Sequence, residues 1–192
     1  MKGFVKAGLA AALGLAVVAA PAQAQKKKPA TAPVAASSAK TPLLWNAGIE
    51  LGLPSTGATT GFGARVGVTL TPHGWPVWLR PDVSFDHFGI DCSGCGSITQ
   101  IAVGADAGYD FKTTSSLRPY VLGGLNISHS SWSNSFGGFS VSGTGLGIDI
   151  GGGIRIPVSS MRGYGELRYH SVGGTGGVDF IALTFGLLFG GK

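Results

Sequence analysis

The sequence predicts an all-β fold, an eight-stranded antiparallel up-and-down barrel that spans a membrane. Three observations predict it. Eight segments of roughly ten residues alternate large apolar with small or polar side chains, the period-two pattern of a sheet whose faces differ. Twelve charged residues lie on the polar faces of these segments, and none lies on the apolar faces. Between the charges the polar face is mostly Gly, Ala and Ser, which suits a narrow interior filled by side chains better than open water.

The chain reads in order as follows. Lys2 and Lys6 form a positive start, residues 7–20 (AGLAAALGLAVVAA) an apolar core, and residues 22–24 (AQA) a small-residue cleavage site before Gln25. That is the pattern of a secretory signal peptide over residues 1–24. The apolar run is shorter than the roughly 20 residues a spanning helix needs. Residues 25–41, QKKKPATAPVAASSAKT, have a linker composition and no apolar period, so a flexible periplasmic spacer is expected. Residues 42–192 remain for one domain.

The net charge of +5 belongs to the leader and spacer. From residue 41 onward eight basic residues face nine acidic ones, so a nucleic-acid surface has no support. Helical periodicity is absent, and abundant Gly disfavours helices throughout.

The first strand is expected over 44–53, with Trp45, Ala47, Ile49 and Leu51 opposite Asn46 and Glu50. The second, 61–70, sets Phe62, Val66 and Val68 against Arg65. The third, 77–87, sets Val83 and Phe85 against Arg80, Asp82 and Asp86. The fourth, 98–111, turns Ile101, Val103 and Tyr109 away from Asp106 and Asp110. The fifth, 117–128, opposes Val121, Leu125 and Ile127 to Arg118, Tyr120 and Asn126. The sixth, 145–156, opposes Ile148, Ile150 and Ile154 to Asp149 and Arg155. The seventh, 162–170, carries Glu166 and Arg168 on one face. The eighth, 179–189, alternates Ile181, Leu183, Phe185, Leu187 and Phe189 with Ala182, Thr184, Gly186 and Leu188. Pro81 and Pro119 fall inside the third and fifth, where proline ordinarily marks an edge or a bulge.

Eight wide apolar faces exceed what one small domain can bury inside itself, so lipid is the expected neighbour. A charge on a lipid-facing strand costs about 2–4 kcal/mol at mid-membrane, which accounts for the absence of charges there. The segments 71–76, 112–116 and 157–161 are then tight turns on the periplasmic side. Those at 54–60, 88–97, 129–144 and 171–178 are outer loops.

YGELRYHSV (164–172) followed by DFIALTFGLLF (179–189) resembles the small outer-membrane β-barrel family of the OmpA/OmpX and opacity-protein type. RPYVLGGLNIS and GIDIGGGIRIPV resemble its fifth and sixth strands. The resemblance implies a bacterial outer-membrane location, outer-membrane lipids as neighbours, and an insertion machinery that reads the last strand. Members end on an aromatic residue, whereas Phe189 here is followed by Gly190, Gly191 and Lys192. Roles in such a family range from envelope stability to adhesion, so no single activity transfers.

Cys92 and Cys95 (CSGC) lie in an outer loop of an oxidising compartment. A small loop disulfide is the simplest expectation, since no second pair exists to complete a zinc site. Glu50, Arg65, Arg80, Asp82, Asp106, Arg118, Asp149, Arg155, Glu166 and Arg168 are expected to form a structural charge network in the lumen. An ion path is the alternative reading. His129 with Ser131 and His170 with Ser171 raise a deacylase alternative, but no Glu or Asp follows His129 closely and the His-x-Ser-Asn run of such enzymes is absent at His170. The resulting expectation is a monomeric, non-enzymatic surface or envelope protein. It needs no cofactor, metal or nucleic acid, and its loops contact an external partner or shield the cell.

Overall fold

The computed structural model describes residues 43–55, 57–92, 95–133, 140–173 and 177–190. The signal peptide over 1–24, the spacer over 25–41 and Pro42 lie outside them. Period-two alternation produces eight strands: β1 (Leu43–Pro54), β2 (Gly61–Leu70), β3 (Val77–Gly89), β4 (Ser97–Asp110), β5 (Arg118–Ser133), β6 (Ser140–Val158), β7 (Met161–Val172) and β8 (Phe180–Gly190). Each pairs antiparallel with its neighbour in sequence, and β8 closes on β1.

The register defines the barrel. Leu43 pairs with Leu70, and the path continues through Leu79, Ala107, Gly123, Ile150, Tyr169 and Ile181 to Leu53. One circuit therefore climbs ten residues along β1, from Leu43 to Leu53. Eight strands with that stagger tilt about 40° to the axis around a backbone radius of roughly 8 Å. Side chains can fill such a bore.

Which side chains fill it follows from parity. Ile148, Ile150 and Phe185 are exposed on the outside, whereas Asp149 and Arg168 are buried inside. Leu125 is 69% exposed and Leu146 73%, values that only a hydrocarbon neighbour makes comfortable for so continuous a surface. Trp45, Trp75, Tyr109, Phe111 and Phe189 lie toward the end with the short turns, at the level where aromatic girdles meet headgroups.

Pro81 does not make β3 an edge or a bulge. The ladder to β4 runs unbroken through the Pro81–Ala105 pair. On the β2 side no pairing occurs at Pro81 or Arg80, yet the register is the same before and after the gap, from Gly67–Asp82 to Leu70–Leu79. The missing N–H is tolerated because the strand is held from its other side. Pro119 sits at the start of β5, and its carbonyl accepts from Phe111 N at 2.9 Å as the β4 ladder ends.

β5 and β6 are longer than the alternation indicates. They pair as far as Ser133–Ser140, so most of the expected 129–144 loop is a hairpin. Ser and Thr there resemble loop composition, but β4 supplies a third strand alongside as far as Ser97–Ser133. A strand of 19 residues is roughly 60 Å long, about 45 Å along the axis, against an apolar band of about 25 Å. The hairpin therefore stands well clear of the membrane.

Glycines on the inner face make room for large neighbours. A Cβ on Gly108 would strike the indole of Trp78, and one on Gly153 would lie 2.7 Å from the Tyr120 hydroxyl. Gly108→Val should therefore displace Trp78 and lower refolding yield sharply. The check is the fraction of protein whose gel mobility shifts on boiling.

Candidate functional site

The lumen is layered along its axis, and each layer follows from the residue types that alternation turns inward. Toward the outer end Phe88 and Phe180 stack edge to face with centroids 5.0 Å apart, joined by Ala182 and Ile98. Toward the inner end Trp78, Tyr120 and Leu122 form a second apolar layer, with Trp78 and Tyr120 centroids 5.8 Å apart. Charges lie between these two layers.

Glu166 of β7 is the hub. It accepts from Arg80 Nη1 and Nη2, both at 3.0 Å, from Arg168 Nη2 at 2.7 Å, and from the Tyr120 hydroxyl at 2.8 Å. Asp106 holds the same two arginines at 2.8 and 2.9 Å. Arg65 reaches Asp82 at 2.8 Å and Glu50 at 3.3 Å, and Thr184 donates to Glu50 at 3.1 Å. Alternating carboxylates and guanidiniums thus tie β1, β2, β3, β4, β7 and β8 together across the bore.

A second circuit sits beside it. His170 Nδ1 meets Asp149 Oδ1 at 2.6 Å, and Ser128 Oγ lies 3.5 Å from His170 Nε2. Ser128 donates to Asn126 Oδ1 at 2.8 Å, and Asn126 donates to Asp149 Oδ2 at 3.1 Å. The residue types are those of a nucleophile relay, but the serine proton is committed to Asn126. Ser128 and His170 are also fully buried among their neighbours. A nucleophile must reach substrate, and neither side chain is open to one here.

Neither His–Ser pair of the deacylase alternative forms. His129 points outward from the projecting hairpin and bonds Thr144 at 2.9 Å. His170 meets Ser128 instead of Ser171, because adjacent strand residues face opposite sides.

Two of the expected lumen charges stand apart. Arg155 is buried at the inner layer, where it bonds Asp110 at 2.7 Å and stacks over Trp78 and Tyr120, each 4.6 Å from the ring centroid. Arg118 is a correction. It is exposed at the mouth and makes no ion pair among the described residues, because it is the first residue of β5 and alternation there no longer points into an enclosed bore.

Sequence reasoning did not anticipate the roles of Tyr120, Asn126, Ser128, His170 and Thr184. Their inward parity was the available signal. Asp86 had that parity too, and it is exceptional. Among the described residues it is the one buried carboxylate with no cation within ion-pair distance. It pairs with Gly63, which pairs with Glu50 on the next strand, so only a glycine separates two carboxylates. Asp86→Asn should stabilise the barrel by about 1 kcal/mol or more, read as a higher urea midpoint.

Cys92 and Cys95 are joined by a disulfide in the β3–β4 connection, with Cα atoms 5.5 Å apart. The outer mouth forms a cup of about 390 Å³ bordered by Ile90, Ile98, Trp132, Val172 and Val178. Among the described residues no group of three or more His, Cys, Asp or Glu can hold a metal ion.

The family model described as outer membrane protein beta-barrel domain matches residues 8–189. The chain belongs to that family. As a member it is a bacterial outer-membrane barrel, and the exposed apolar face described above is its lipid surface. Among solved structures it resembles the Neisserial surface protein A, at 20% identity and TM-score 0.59, over 77% of this chain and 95% of that one. It also resembles Ail, the attachment invasion locus protein of Yersinia pestis, at 14% identity and TM-score 0.51, again over 77% and 95%. These likenesses concern the fold. No curated protein gives a significant sequence match.

Proposed function

We propose that this outer-membrane barrel is a non-catalytic surface protein. Its lumen is a rigid structural plug, and its projecting outer hairpin meets an external partner or shields the envelope. The observation that carries this reading is the filled bore. Two apolar layers bracket an ion-paired interior, which leaves the outer connections as the surface able to do work outside the cell. The reach of β5 and β6 supports the same reading. Residues 1–24 act as the export signal, 25–41 as a periplasmic spacer, and the barrel works as a monomer inserted through recognition of its last strand.

Two experiments test this. In planar bilayers the purified barrel should give no discrete conductance steps. Regular steps altered by Arg168→Ala would establish a channel in place of a plug. Replacing residues 129–144 by a short Gly-Ser turn should leave the heat-modifiable barrel intact while abolishing adhesion or envelope resistance conferred by expression. Unchanged phenotypes would remove the hairpin from the proposal.

A further inference from the structure

Three arginines converge at the short-turn end of the barrel, the periplasmic end in proteins of this architecture. Arg118 and Arg155 are direct cross-strand partners on β5 and β6. Arg162, at the start of β7, pairs with Pro157 two residues beyond Arg155. With Ser115 and Ser116 they line a cleft of about 180 Å³.

Like charges placed directly opposite in a sheet destabilise it. Asp110 relieves only Arg155, at 2.7 Å. Arg118 and Arg162 make no ion pair among the described residues, and the buried Nε of Arg155 makes no hydrogen bond. The cleft therefore carries positive charge that the protein itself does not balance. Guanidinium groups clustered with hydroxyls suit a phosphate, which accepts forked N–H pairs and spreads its charge over several oxygens.

The surroundings indicate where that phosphate comes from. Ile156 lines the cleft and is also exposed on the lipid face, as is Ile154 two residues along the same strand. A ligand seated here has its head among arginines and its tail on hydrocarbon. We propose that this cleft binds the headgroup phosphate of an anionic phospholipid from the periplasmic leaflet. The proposal rests on the outer-membrane location and is independent of any role for the outer loops.

The test is native mass spectrometry of the full detergent-solubilised barrel titrated with phosphatidylglycerol or phosphatidylcholine. Wild type should retain phosphatidylglycerol about tenfold more tightly. Arg118→Gln with Arg162→Gln should reduce that preference to near unity; both side chains are exposed, so the barrel should still fold. Lys112→Gln, which removes a rim charge outside the cleft, should leave it unchanged. Equal retention of the two lipids by wild type, or equal loss in Lys112→Gln, would overturn the site. Complete displacement of phosphatidylglycerol by inorganic phosphate would overturn the lipid as its occupant.

Discussion

Glu166→Ala should destabilise the barrel by about 3–5 kcal/mol, the cost of removing one partner from a buried charge network. Glu166 receives hydrogen bonds from Arg80, Arg168 and Tyr120 at distances between 2.7 and 3.1 Å. Deleting its carboxylate leaves Arg80 and Arg168 sharing Asp106, with only the longer 3.4 Å contacts to Asp82 and Asp149 besides, enclosed between the aromatic layers. Glu166→Gln keeps the volume and part of the hydrogen bonding, so it should fall between wild type and Glu166→Ala. Urea unfolding in phospholipid vesicles measures both. A loss below about 1 kcal/mol for Glu166→Ala would mean that the charges are solvated and the lumen is wet.

Leu125→Arg should cost about 2–4 kcal/mol, although the side chain touches nothing in the lumen. Leu125 lies outward on β5 between Val121 and Ile127, opposite Ala105 and Ile148 on the neighbouring strands. In water an exposed leucine replaced by arginine is nearly neutral or beneficial. In hydrocarbon the guanidinium must snorkel or thin the bilayer. Leu125→Phe, which keeps the surface apolar, should stay within about 0.5 kcal/mol of wild type. The two substitutions together separate a lipid neighbour from a water neighbour, by refolding into vesicles and measuring the denaturant midpoint.

The fold was legible because parity is a local property. Ile148 outward and Asp149 inward follow from adjacent positions on one strand, and the same rule places Phe185 and Thr184. Pairing within the lumen was not legible, because it depends on the register of distant strands. Arg80 and Glu166 are 86 residues apart, and the barrel's stagger sets their levels. The same dependence hid the meeting of His170 with Asp149 and Ser128. Arg118 misled for a related reason, since parity specifies a side but not a depth. The lengths of β5 and β6 were missed because Ser, Thr and Gly read as loop until a neighbouring strand is known to be present.

The most direct test is nitroxide accessibility at Leu125, Ile148 and Phe185, each changed singly to Cys in a Cys92→Ser, Cys95→Ser background and reconstituted in vesicles. Lipid contact predicts frequent collisions with dissolved oxygen and few with a water-soluble nickel chelate at all three positions. Chelate collisions exceeding those of oxygen would put these faces in water. Protection from both reagents would put them inside the barrel, and either result would contradict the arrangement of greasy exterior and charged interior.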